Sequence, residues 1–219
     1  MSHHPTETIP LWEGEPPASV PNDAFKPWLE PYPIEVDVPR GAVLVCPGGG
    51  YSNRAPHEAA PIARRFNEAG YHAFIVQYRV APHRHPAPLL DAARAMQIIR
   101  DGASGWHVDP DRIAVCGFSA GGHLAGSLGV HFSHPIVRRE GGINPTACRP
   151  NALILCYPVI SAGPCRHCGS FNNLLGPEPS ETQLAMMSLE QQVTEATPPA
   201  FMWHTADDEP GERRRDRGA

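Results

Sequence analysis

The segment Ala114-Val115-Cys116-Gly117-Phe118-Ser119-Ala120-Gly121-Gly122-His123 places one serine between two glycines, each two residues away. A short apolar run precedes it and small residues follow it. This pattern suits a serine standing exposed on a sharp strand-to-helix turn, where any side chain at the flanking positions would collide with the backbone. Ser119 is therefore the candidate nucleophile, and the chemistry it points to is acyl transfer. The same turn leaves the Ala120 amide at the positive end of the following helix, ready to receive an oxyanion. A bare G-x-S-x-G also occurs in ordinary glycine-rich turns. Its placement between a strand and a helix carries the functional reading.

A second group of backbone donors is expected about 70 residues upstream, roughly two βα units away. Ala42-Val43-Leu44-Val45-Cys46 is wholly apolar, as a buried parallel strand would be, and it runs into Pro47-Gly48-Gly49-Gly50-Tyr51. Consecutive glycines let a loop turn its N–H groups outward with no Cβ in the way. The loop lacks the Gly-Lys-Ser/Thr ending of a phosphate-cradling P-loop and the G-x-G-x-x-G spacing of a dinucleotide site. Gly49 and Gly50 are thus read as further oxyanion donors.

The elements around these motifs alternate. Strands are expected at 42–46, 72–79, 112–116, 152–157 and 200–204. Helices are expected near 56–69, 88–101, from Ala120 to about His131, and near 180–190. Ile62, Ala63, Phe66 and Ala69 share one helical face, as do Leu89, Ala92, Ala93, Met96 and Ile99. Such alternation implies an α/β protein, a three-layer α/β/α sandwich around a mostly parallel sheet. The first 40 residues hold nine prolines, and read as an arm packed over the domain.

Composition bounds the function further. A chain of 219 residues suits one domain, and a net charge of −5 argues against a nucleic-acid partner. The start, Met1-Ser2-His3-His4-Pro5, has no apolar leader core and no run is long enough to span a bilayer, so a cytoplasmic protein without a membrane partner is expected. Of six cysteines, Cys46, Cys116 and Cys156 fall in apolar strands, where buried thiols are common. Cys165-Arg166-His167-Cys168 could begin a zinc site, yet only Cys148 stands near enough to add a ligand. A surface loop is favoured, and no metal or cofactor is expected.

Several of these segments together resemble the α/β-hydrolase esterases, most of all the bacterial acetyl-xylan and related carbohydrate esterases, which share features with the hormone-sensitive-lipase group. They are Pro47 to Tyr51, Tyr78-Arg79-Val80-Ala81-Pro82, His85-Pro86-Ala87-Pro88-Leu89, Asp109-Pro110-Asp111-Arg112-Ile113 and Gly117 to His123. Tyr157-Pro158-Val159-Ile160-Ser161, Asn173-Leu174-Leu175-Gly176, Thr197-Pro198-Pro199-Ala200-Phe201 and His204-Thr205-Ala206-Asp207-Asp208 continue the resemblance. One departure is Pro47, where the lipase-like group usually carries histidine.

The resemblance implies a serine ester hydrolase acting on acetylated sugars or small acyl esters. An arylformamidase-like amidase, a peptidase or a catalytically dead fragment are the alternatives. It places the triad acid at Asp208, with Asp207 as the other register, and the domain at residues 41–208. The triad histidine should follow the acid, but the sequence holds no histidine after His204. Residues 209–219 carry seven charged side chains and no large apolar one. They read as a truncated or frameshifted end, or a natural shortened variant, lacking the last strand and helix. His57, His83, His85, His123 and His204 are all assigned to packing or surface roles, although His204, at a strand end near the acid, could make a short reach toward the site.

Overall fold

The computed structural model describes residues 7–21 and 23–205. The chain builds β1 (Ile9–Pro10), β2 (Trp28–Tyr32), β3 (Arg40–Cys46), α1 (Ala60–Glu68), β4 (His72–Gln77), α2 (Ala87–Asp101) and β5 (Val108–Phe118). There follow α3 (Ala120–His131), α4 (Pro135–Gly141), α5 (Pro145–Cys148), β6 (Ala152–Cys156), α6 (Cys168–Leu175), α7 (Glu181–Met187) and β7 (Ala200–Trp203). The seven strands form one sheet in the order β1-β2-β4-β3-β5-β6-β7. β1 and β2 are antiparallel additions, and every pairing from β4 to β7 is parallel.

Both faces of this sheet are covered, which is why its central strands read as unbroken apolar runs. Ala42, Leu44 and Cys46 of β3 join a larger core with α2 and α3, while Val43 and Val45 point the other way, to α1. The expected α/β/α layering follows from this alternation. β3 pairs with β4 on one side and β5 on the other. The chain therefore reverses direction across the sheet between β3 and β5. Loops leaving the carboxyl ends of two such strands diverge and open a crevice, the usual place for a site in an open α/β sheet.

The structure corrects the sequence reading in several places. Residues 28–32 form a sheet strand although Pro31 and Glu30 disguise it. β1 pairs only with Trp28 and Leu29, so Pro31 lies past the end of that pairing and its missing N–H is tolerated near an edge. The helix expected from 56 to 69 is divided, with a 3-10 turn at Pro56–Glu58 ahead of α1. Cys168 opens α6, and His167 caps that helix by accepting the Ser170 amide at 3.2 Å. The Cys165–Cys168 segment is thus a turn leading into a helix, and neither thiol forms a disulfide. No helix among the described residues is long and apolar enough to cross a membrane.

The proline-rich arm is held by a buried ion pair. Arg79, just past β4, and Asp91, in α2, are both fully buried. Asp91 accepts from Arg79 Nε at 2.9 Å and Nη2 at 2.8 Å, and also from the Trp12 indole at 2.9 Å. Arg79 Nη1 reaches on to the Pro17 carbonyl at 2.7 Å. Removing one partner leaves a buried charge unpaired, so Asp91→Ala should cost about 3–5 kcal/mol in urea unfolding at pH 7. Asp91→Asn, which keeps an acceptor for the guanidinium, should lose clearly less.

Candidate active site

β5 ends in the expected elbow. Ser119 adopts φ 51° and ψ −119°, a conformation that costs a non-glycine residue about 1–3 kcal/mol. The neighbours hold it there. The Ser119 amide donates to the Cys156 carbonyl at 3.0 Å, and its own carbonyl accepts from His123 and Val159, both at 3.1 Å. A Cβ on Gly117 would stand 2.1 Å from the Gly121 carbonyl oxygen, and one on Gly121 would stand 2.1 Å from that of Cys46. Backbone meets backbone at both points, so nothing can move aside. The side chain of Ser119 remains partly exposed at the α3 N-terminus.

The glycine loop after β3 lies against this elbow. A Cβ on Gly48 would be 2.6 Å from the Phe118 carbonyl oxygen and 3.2 Å from Ser119 Cβ. Gly49 and Gly50 have φ of 124° and 63°, which favour glycine at both positions. The carbonyls of the loop are tied back into the fold. Pro47 accepts from the Tyr78 hydroxyl at 2.6 Å and Gly48 from the Ala55 amide at 2.9 Å. Gly50 accepts from Asn173 Nδ2 at 2.8 Å. With the carbonyls engaged, the amides of Gly49, Gly50 and Ala120 take part in no hydrogen bond among the described residues.

The histidines are committed elsewhere. His123 is fully buried, with Nε2 3.0 Å from the Met187 carbonyl and Nδ1 2.8 Å from the Tyr51 hydroxyl. A carbonyl only accepts, so Nε2 carries the proton and Nδ1 accepts from Tyr51. His83 accepts the Val20 amide and faces Asp23 Oδ2 at 3.0 Å. His85 is largely enclosed, and its Nε2 has no hydrogen bond among the described residues. His57 points to solvent and His204 is exposed past β7. Among the described residues, the rings of His57, His83, His85 and His123 make no hydrogen bond to the Ser119 side chain. Asp207 and Asp208 lie outside the described residues.

Two contacts were invisible in the sequence. Glu58, in the 3-10 turn after the glycine loop, accepts the Gly48 amide and the Tyr157 hydroxyl, each at 2.7 Å. Asn173 of α6 anchors Gly50 from 123 residues away. Neither belongs to a motif with its own chemistry, and only the long-range fold brings them to the loop.

A family model described as the alpha/beta hydrolase fold matches residues 43–205, a span that begins in β3 and runs past the end of β7. The chain belongs to the α/β-hydrolase fold family. Among curated proteins, it is 39% identical to endo-1,4-beta-xylanase B of Butyrivibrio fibrisolvens over 84% of this chain and 29% of that protein. It is 33% identical to an acetylxylan esterase of Xylanibacter ruminicola over 76% of this chain and 33% of that one. The chain thus spans about a third of the length of these relatives. Among solved structures, an acetyl ester-xyloside bifunctional hydrolase from Caldicellulosiruptor lactoaceticus superposes with a TM-score of 0.85 at 42% identity, over 93% of this chain and 76% of that one. A carboxylesterase from Lactobacillus plantarum gives 0.72 at 28% identity, over 87% and 71%.

The buried histidine beneath the site should make the fold acid-sensitive. Burial pushes His123 down from 6.5 to about 4. Because the folded value lies below the unfolded one, the unfolded chain takes up the proton first as pH falls. Stability should be intact above pH 6.5 and decline from there to about pH 4. His123→Gln, which keeps an acceptor and a donor, should flatten part of that decline in unfolding measurements across this range. An unchanged slope would mean that His123 is not the group being protonated.

Proposed function

We propose that the chain is the α/β-hydrolase domain of a serine carboxylic-ester hydrolase acting on acetylated sugars or other small acyl esters. The observation that carries this reading is the accessible Ser119 on a strained elbow, facing glycines whose amides have no other partner among the described residues. Relatives that include an acetylxylan esterase and an acetyl ester-xyloside hydrolase support the acetyl-sugar substrate class.

In this reading Ser119 Oγ attacks the ester carbonyl and gives up its proton to a base. The oxyanion is held by the amides of Ala120 and of Gly49 or Gly50, the alcohol departs, and water then cleaves the acyl-enzyme to release the acid. Asp208 is the acid that would orient the base. His123 is excluded from the base role by its two hydrogen bonds. The rings of His57, His83, His85 and His123 make no hydrogen bond to the Ser119 hydroxyl among the described residues, so the 219-residue chain assayed alone should be slow. Loss of a triad base costs on the order of 10⁶ in kcat in a well-studied serine protease. About 10³–10⁴ over water survives there through binding and the oxyanion hole.

This division gives an ordered test on 4-nitrophenyl acetate. Gly49→Val or Gly50→Val should lower the residual rate by about 10²–10³, the cost of losing an oxyanion donor. Ser119→Ala should lower it far less, since an unactivated hydroxyl contributes little. The reverse order would show that a base already serves Ser119, and His204→Gln would then be the first variant to examine.

A further inference from the structure

Glu58 is a buried carboxylate, 7% exposed, placed beside the candidate nucleophile. A Cβ built on Gly48 would stand 2.7 Å from Glu58 Oε2 and 3.2 Å from Ser119 Cβ, so the acid and the serine flank the same small space. Enclosing a carboxylate is costly unless its oxygens are well bonded. Here each oxygen has one short bond: Oε2 accepts the Gly48 amide and Oε1 the Tyr157 hydroxyl, both at 2.7 Å. The exposed His57 lies 3.7 Å from Oε1.

The two bonds join three parts of the site. Gly48 opens the glycine loop after β3, and Tyr157 is the residue immediately beyond β6. Ser119 leaves β5, which lies between those strands in the sheet. Glu58 therefore bridges over the elbow, from the loop on one side to the strand end on the other. Tyr157 is itself held: its φ is 35°, its amide donates to the Trp203 carbonyl at 2.8 Å, and its ring packs edge-on to Trp203 and at a tilt to Phe118. The carboxylate thus anchors the loop to a rigid point. Binding the Gly48 amide inward also orients the peptide units that follow it, those that carry the Gly49 and Gly50 amides.

We propose that Glu58 is a positioning residue of the ester-cleaving site, fixing the glycine loop against Ser119 through the paired Gly48 and Tyr157 hydrogen bonds. This rests on the reading of Ser119 and the glycine amides given above. Its role is one of reach and geometry, so an amide of equal length can replace it, whereas a shorter carboxylate cannot.

The test uses the 219-residue chain with Glu58→Ala, Glu58→Gln, Glu58→Asp and Tyr157→Phe. Two readouts are taken: hydrogen–deuterium exchange of the peptide covering residues 47–51, and affinity for phenylboronic acid, which forms a tetrahedral adduct on a serine facing an oxyanion hole. Loss of one buried hydrogen bond to a charged group corresponds to about tenfold or more. Glu58→Ala and Glu58→Asp should therefore speed exchange in 47–51 and weaken boronate binding by at least about tenfold. Glu58→Gln should stay within about threefold of the parent chain, and Tyr157→Phe should fall between. The proposal is overturned if Glu58→Asp matches the parent while Glu58→Gln does not, since charge would then be the cause. It is also overturned if exchange in 47–51 changes only in step with the rest of the chain. If Glu58→Ala does not fold, the Gln and Asp pair with Tyr157→Phe decides. Absence of tetrahedral boron on the parent chain would sink the reading of Ser119, while the exchange readout would still settle the role of Glu58.

Discussion

The structure depends on a close approach of backbones at one point. The end of β3, the turn after β5 and the first residues of α3 converge so tightly that a single methyl on Gly117 or Gly121 would lie 2.1 Å from a carbonyl oxygen. That contact presses the glycine loop against Ser119, and it forces the serine into a backbone conformation it would otherwise avoid. The sheet order serves this convergence. Because β3 and β5 are neighbours whose loops leave in opposite directions, the crevice between them is open above a tightly packed floor.

A strained turn persists only where its surroundings outweigh the strain. Around Ser119 this is done by hydrogen bonds to β6 and to the residues after it, at Cys156 and Val159. Beneath the turn, the His123 ring joins α3 to both the glycine loop and α7, through Tyr51 and the Met187 carbonyl. On the far side, the Arg79–Asp91 pair fixes the chain after β4 and holds the arm through Trp12 and Pro17. Several buried polar groups, Arg79, Asp91 and His123 among them, therefore lie around the loops of the site, while Asn67 and His72 tie down the other end of the sheet.

The parts of the fold that were legible in sequence are those governed by local rules. Apolar runs marked the parallel strands because both faces of the sheet are covered, and G-x-S-x-G marked the elbow because steric limits act within five residues. β2 escaped notice because the edge strand β1 pairs only with its first two residues, leaving Glu30 and Pro31 unpaired on that side. The roles of Glu58, Tyr157 and Asn173 in holding the loop escaped because they come from partners 10 to 123 residues away. His123, by contrast, was legible: four residues from Ser119 in sequence, it is assigned to packing, and the helix turns it into the core. Asp208, the acid that the family resemblance implies, lies outside the described residues.

The central claim is that Ser119 is the reacting group and that the fold exists to expose it. Reaction of the chain with a fluorophosphonate, followed by peptide mapping in a mass spectrometer, tests this most directly. The account predicts that Ser119, provided a base activates it, is the serine modified first and to the greatest extent. Modification of Ser127 or Ser161 with Ser119 untouched would contradict it.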